Sequence, residues 1–180
     1  LGREPRPVPE RRLSRAVPDA QDCRPANTYA AFGDSITFGV MRMENLEGEE
    51  HPELAYPERV REILATSYGP AFTVNLGVPA QQTYQGALRV HQDLAGVDGL
   101  YFLLMMGTND VIHGYFSIDS SIESLDYIIA AAEERGMRII VSTIPPRKDS
   151  FGEVPWILNN IAELNLGIAE LAESKGIGFI

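Results

Sequence analysis

Cysteine is almost missing from this chain of 180 residues. Cys23 stands alone, so no disulfide can close within the chain, and no set of thiolates is available for a structural zinc. No apolar stretch approaches the roughly 18 to 20 residues that a membrane-spanning helix needs. The longest, residues 100–106, has the length of a buried strand. Positive charge is scarce as well: 15 Lys and Arg face 25 Asp and Glu, for a net charge of −10. Residues 1–25 hold six arginines and four acids, so the rest of the chain carries nine basic and 21 acidic residues. A body that acidic argues against a nucleic-acid partner, which needs clustered Lys and Arg.

Several signatures are also lacking. Gly33-Asp34-Ser35-Ile36-Thr37 is not a G-x-S-x-G elbow, because Thr37 stands where the last glycine belongs. There is no G-x-x-x-x-G-K-[ST] loop, no G-x-G-x-x-G and no H-E-x-x-H. Phosphate, dinucleotide and zinc chemistry are therefore not expected, and no cofactor or metal is required. The chain opens on Leu1 with no basic start followed by an apolar core. That leaves the compartment open; a leader already removed would place the protein outside the cell or in the periplasm.

What is present reads as one domain. Residues 1–25, with Pro5, Pro7, Pro9, Pro18 and Pro25 among the arginines, have no apolar periodicity and read as a tail or linker. From about residue 26 to residue 180, strand-like and helix-like segments alternate. Strands are predicted at 28–32, 72–76, 100–106, 138–144 and 177–180, each short, apolar and continuous as in a sheet covered on both faces. The first helix carries Val60, Ile63 and Leu64 up to Gly69; the next carries Ala87, Val90 and Leu94 up to Gly96. In a later helix Ile122, Leu125, Ile128, Ile129 and Ala132 share a face, with Ser120 and Glu123 as a capping box and Gly136 as the stop. The last helix places Ile157, Ile161, Leu164, Ile168 and Leu171 on one side before Gly176. This alternation predicts a parallel sheet with helices on both faces, whose ligands bind beyond the carboxyl ends of the strands.

That rule gives three residues a common address. Ser35 follows the first strand, Ala80 the second and Asn109 the third. A serine hydroxyl becomes a nucleophile when a neighbouring base takes its proton. A side-chain amide and backbone N–H groups at the same crevice are the donors that a developing oxyanion needs. A serine at the start of a helix adds the positive end of the helix dipole.

Three ordered blocks carry a resemblance: Phe32-Gly33-Asp34-Ser35-Ile36-Thr37, Asn75-Leu76-Gly77-Val78-Pro79-Ala80 and Gly107-Thr108-Asn109-Asp110. With Tyr56-Pro57 opening the first helix and Asn165 in the last, they resemble the SGNH hydrolases, also called GDSL-type esterases and lipases, over residues 28–180. The resemblance implies a three-layer α/β/α, flavodoxin-like fold with a five-stranded parallel sheet. It implies that Ser35 is the nucleophile and donates its own backbone N–H to the oxyanion. The other donors would be the backbone N–H of Ala80, where the family carries glycine, and the side chain of Asn109. Asp34 would brace the loop around the serine.

The family's general base, a histidine in a D-x-x-H pair near the C-terminus, has no counterpart in these 180 residues. An end at Gly178-Phe179-Ile180 falls within an apolar strand, so the domain is expected to continue past it. Asp110-Val111-Ile112-His113 matches the pair's spacing but overlaps the third block, which makes His113 a poor substitute. His51, in an acidic insertion with Glu44, Glu47, Glu49, Glu50 and Glu53, and His91 read as surface residues. The expected activity is hydrolysis of small carboxylic esters, either short acyl groups on carbohydrate or acyl lipids. An insertion at 41–55 and a loop at 111–118 with Tyr115 and Phe116 would border the pocket. The alternatives are an acyltransferase of the same fold and a non-catalytic binding module.

Overall fold

Five short parallel strands carry the fold of the computed structural model, which describes residues 27–41, 49–113, 117–146 and 155–180. The tail with Cys23, the acids Glu44 and Glu47, and the pair Tyr115 and Phe116 lie outside the described residues. In chain order the elements are β1 (Thr28–Gly33), α1 (Ser35–Phe38), β2 (Val40–Met41), β3 (Glu49–Glu50), a 3₁₀ turn (Pro52–Leu54), α2 (Tyr56–Tyr68) and β4 (Phe72–Gly77). There follow α3 (Thr83–Leu94), β5 (Tyr101–Met105), α4 (Thr108–His113), α5 (Ile118–Glu134), β6 (Arg138–Val141), α6 (Pro155–Lys175) and β7 (Gly178–Phe179). The main sheet runs β4-β1-β5-β6-β7, and every pairing in it is parallel. This is the doubly wound order in which the chain reverses direction at β1, leaving a crevice between the ends of β1 and β5.

Strand alternation divides the core in two. Ala30 and Phe32 of β1, Phe102 and Leu104 of β5, and Ile139 and Val141 of β6 face α3, α5 and α6, where Val90, Leu94, Leu125, Ile128, Leu164 and Ile168 are buried. Each of the larger of these side chains contributes about 1.5–3 kcal/mol on burial, so this face supplies most of the driving force. On the other face Tyr29, Ala31 and Leu103 pack with Tyr56, Val60 and Leu64 of α2.

The structure departs from the sequence reading at several points. In α2 the sheet-facing, partly buried line runs through Tyr56, Val60 and Leu64 at four-residue steps. Ile63 falls off that line and is 66% exposed. α5 begins before the expected cap: Ser117 Oγ accepts from the Ser120 N–H at 3.2 Å, so Ser117 is the N-cap and Ser120 lies in the first turn. β4 and β7 are the sheet's edges, and Phe72, Val74 and Phe179 are exposed on them. Within the acidic insertion, β2 and β3 pair as an antiparallel ribbon of two residues each. The expected loop after β5 begins with the one and a half turns of α4.

Candidate active site

Gly33, Gly77 and Met105 lie side by side in the register of β1, β4 and β5, so the three sequence blocks leave the carboxyl ends of three adjacent strands. At Gly33 a Cβ would collide with Thr37 Oγ1 and the Met105 carbonyl, so only glycine lets the chain turn here. The next residue, Asp34, caps α1: its Oδ1 accepts from the Ile36 N–H at 2.9 Å. The N-cap is thus Asp34, and Ser35 is the first helical residue, partly exposed at the strand end. α1 has only four residues, which leaves little macrodipole to favour an anion. Asp34 braces the turn as expected, at an electrostatic cost. It is 1% exposed, and burial pushes its carboxyl up to about 6, partly offset by the Ile36 N–H.

The second block is tied to the first by Asn75. Its Nδ2 donates to the carbonyls of Thr37 (2.8 Å) and Phe38 (3.3 Å), and its Oδ1 accepts from the Gly77 N–H at 2.9 Å. Val78 N–H donates to the Gly33 carbonyl at 3.1 Å. Ala80 then sits at φ 63°, a left-handed conformation that an L-residue adopts at a cost of roughly 1–2 kcal/mol. That is the conformation glycine would satisfy freely, so alanine here is a strained substitute. Alanine keeps the backbone N–H, and the residue is exposed.

The third block holds that strained loop. Asn109 Nδ2 donates to the Gln81 carbonyl at 2.9 Å, and its second N–H is left for another acceptor. Asp110 is 3% exposed. Its carboxylate accepts from Thr83 N–H (3.0 Å to Oδ2), Thr83 Oγ1 (2.6 Å) and Ser121 Oγ (3.1 Å). Burial raises its pKa, and the Thr83 bonds lower it. Asp110 thereby ties the start of α3 and one turn of α5 to the block that carries Asn109. Gln82 and Gln85 close the α3 N-terminus with a capping box. Farther out, Asn165 of α6 pairs its amide with the backbone of Ile144, donating to its carbonyl at 3.0 Å and accepting its N–H at 2.9 Å.

The structure thus brings Ser35, Ala80 and Asn109 to the carboxyl ends of three adjacent strands and places the histidines as follows. His51 is bonded to Glu53 (3.0 Å) and Glu49 (3.2 Å). His91 is exposed and meets the Tyr127 ring edge-on at 5.7 Å. His113 is the exposed last residue of α4. Beside the site, a cavity of about 920 Å³ runs along the α2 face of the sheet from Ile36 and Met105 to Tyr29 and Tyr101. Two residues that tie these blocks together, Gln81 and Arg89, belong to none of the sequence motifs. No helix among the described residues is long and apolar enough to cross a membrane.

The three-layer α/β/α sheet thus places a serine at the turn after β1 and an asparagine after its neighbour β5, at the carboxyl ends of the strands where ligands of such sheets bind. The chain belongs to the GDSL-like lipase/acylhydrolase family, whose profile matches residues 31–180. Solved structures share the fold. A lipase/acylhydrolase from Enterococcus faecalis superposes with TM-score 0.70 at 24% identity, over 86% of this chain and 75% of that one. Est24, a carbohydrate acetylesterase from Sinorhizobium meliloti, gives 0.71 at 17% identity, over 86% and 83%. AlinE4, an SGNH-hydrolase family esterase, gives 0.66 at 21% identity, over 86% and 75%. No curated protein matches the chain.

Proposed function

We propose that this protein cleaves carboxylic esters through an acyl-Ser35 intermediate. Ser35 Oγ attacks the ester carbonyl while an imidazole takes its proton. The carbonyl oxygen becomes anionic and is received by the N–H groups of Ser35 and Ala80 and by the free N–H of the Asn109 side chain. Collapse expels the alcohol, which leaves with the proton from the imidazolium. Water then releases the acid from Ser35 by the same sequence of transfers.

The observation that carries this reading is the coupling of the donors. The Gln81 carbonyl, one residue beyond Ala80, is the acceptor for Asn109 Nδ2 at 2.9 Å. Two oxyanion donors are thus held in register by one hydrogen bond, at the strand ends that present Ser35. For the base we look to a D-x-x-H pair outside residues 1–180. The internal match is disfavoured because the Asp110 carboxylate is already occupied by Thr83 and Ser121 and is not free to orient His113. Short acyl groups such as acetate on carbohydrate are the favoured substrates, since no long apolar lid is legible in the sequence. The Sinorhizobium meliloti neighbour is described as a carbohydrate acetylesterase.

The test is turnover of p-nitrophenyl acetate and p-nitrophenyl decanoate by the full-length gene product beside its Ser35→Ala variant. The acetate ester should turn over faster, and the variant should lose at least about a thousandfold in kcat. Undiminished turnover without Ser35 ends the proposal.

A further inference from the structure

We propose that Arg89 is a positioning residue for the oxyanion site, clamping the strand end before Ser35 to the loop that carries Ala80. This rests on the reading of Ser35 and Ala80 just given. Arg89 lies in the second turn of α3, yet its side chain is only 14% exposed. Its Nη2 donates to the Gly33 carbonyl at 3.1 Å, two residues before the nucleophile. Its Nε donates to Gln81 Oε1 at 2.6 Å. Nη1 pairs with the Asp93 carboxylate one turn on, and the guanidinium carbon stands 3.9 Å from the centroid of the Phe32 ring.

Gln81 is therefore held twice, its side chain by Arg89 and its carbonyl by Asn109 Nδ2. One guanidinium thus links the carriers of all three donors: Ser35 through Gly33, Ala80 through Gln81, and Asn109 through the other end of Gln81. The planar fork of arginine reaches two acceptors at once, which an ammonium cannot do in the same geometry. The clamp matters because Ala80 occupies a strained φ of 63°. A residue held in such a well relaxes unless its neighbours fix it. The Asp93 pair and the Phe32 stack hold the guanidinium in place but do not touch the loop.

The test separates the clamp from a plain helix ion pair. In Arg89→Met and Gln81→Met, NMR order parameters at Ala80 and Gln81 should fall from the rigid value of about 0.85 toward 0.6. Asp93→Asn should leave them in place. In the turnover-competent full-length protein, Arg89→Met and Arg89→Lys should both lower kcat about tenfold with KM within twofold, as expected for a lost charge-assisted hydrogen bond acting in the transition state. The Arg89→Met/Gln81→Met double variant should be no worse than the poorer single, because both break one link. An unchanged loop in Arg89→Met, or an equal loss in Asp93→Asn, overturns the inference. The NMR arm needs no turnover, so failure of the Ser35 reading and failure of the clamp are told apart.

Discussion

Asp34 offers the sharpest physical prediction, because one side chain caps the turn and resists its own charge. Its carboxyl is pushed from 3.8 up to about 6 in the fold, mainly by burial. The folded state therefore holds a proton that the unfolded chain has released across that interval. Where the folded state binds more protons, stability falls as pH rises. The loss begins near 3.8 and is complete above about 6. At 1.36 kcal/mol per pKa unit it totals about 3 kcal/mol, of which about 2 kcal/mol falls between pH 4.5 and 7.5. Asp34→Asn keeps an acceptor for the Ile36 N–H, and asparagine caps helices as well as aspartate does. The variant lacks the charge, so its stability relative to wild type should rise by about 2 kcal/mol between those two pH values. For a chain of this size that is roughly 4–8 °C in Tm. The assay is thermal or urea unfolding of both proteins at pH 4.5 and 7.5. Titration of the surface acids is common to both and drops out of the difference. A difference that stays level, or moves in favour of wild type at the higher pH, refutes the buried-carboxyl account.

Two further outcomes are expected. Ala80→Gly should release left-handed strain of roughly 1–2 kcal/mol while adding about 0.5–1 kcal/mol of glycine entropy, a net gain of up to about 1.5 kcal/mol in urea unfolding. It should leave kcat within about twofold, because the N–H donor remains. Asn109→Ala should lower kcat about a hundredfold or more in steady-state kinetics, the usual cost of one oxyanion donor, with KM much less affected.

The parts of the molecule that were legible in the sequence are those set by strong local patterns. β1 and β5 are unbroken apolar runs, and they form the centre of the sheet. The four-and-three spacing of Ile157, Ile161, Leu164 and Ile168 marked the buried face of α6. Ser35 and Asn109 were legible because position at a strand end, not side-chain type alone, gives them meaning. What escaped depends on tertiary partners. Ser117 and Ser120 are equally good caps on paper, and the structure chooses between them by the direction of one N–H. The family's glycine at the position of Ala80 hinted at the positive φ found there, but the hold of Asn109 and Arg89 on the neighbouring Gln81 depends on tertiary contacts that the letters do not show. Arg89 lies in a helical stretch, yet its guanidinium stacks on Phe32 of β1, a contact between distant segments that no local sequence pattern marks.

The most direct test of the central claim is to look for the covalent bond at Ser35. The full-length protein is treated with a fluorophosphonate, digested, and its peptides weighed. The account predicts one adduct, on the peptide that contains Gly33-Asp34-Ser35, and none in the Ser35→Ala variant. An adduct at another residue, or ester turnover by a protein whose Ser35 stays unmodified, would contradict it.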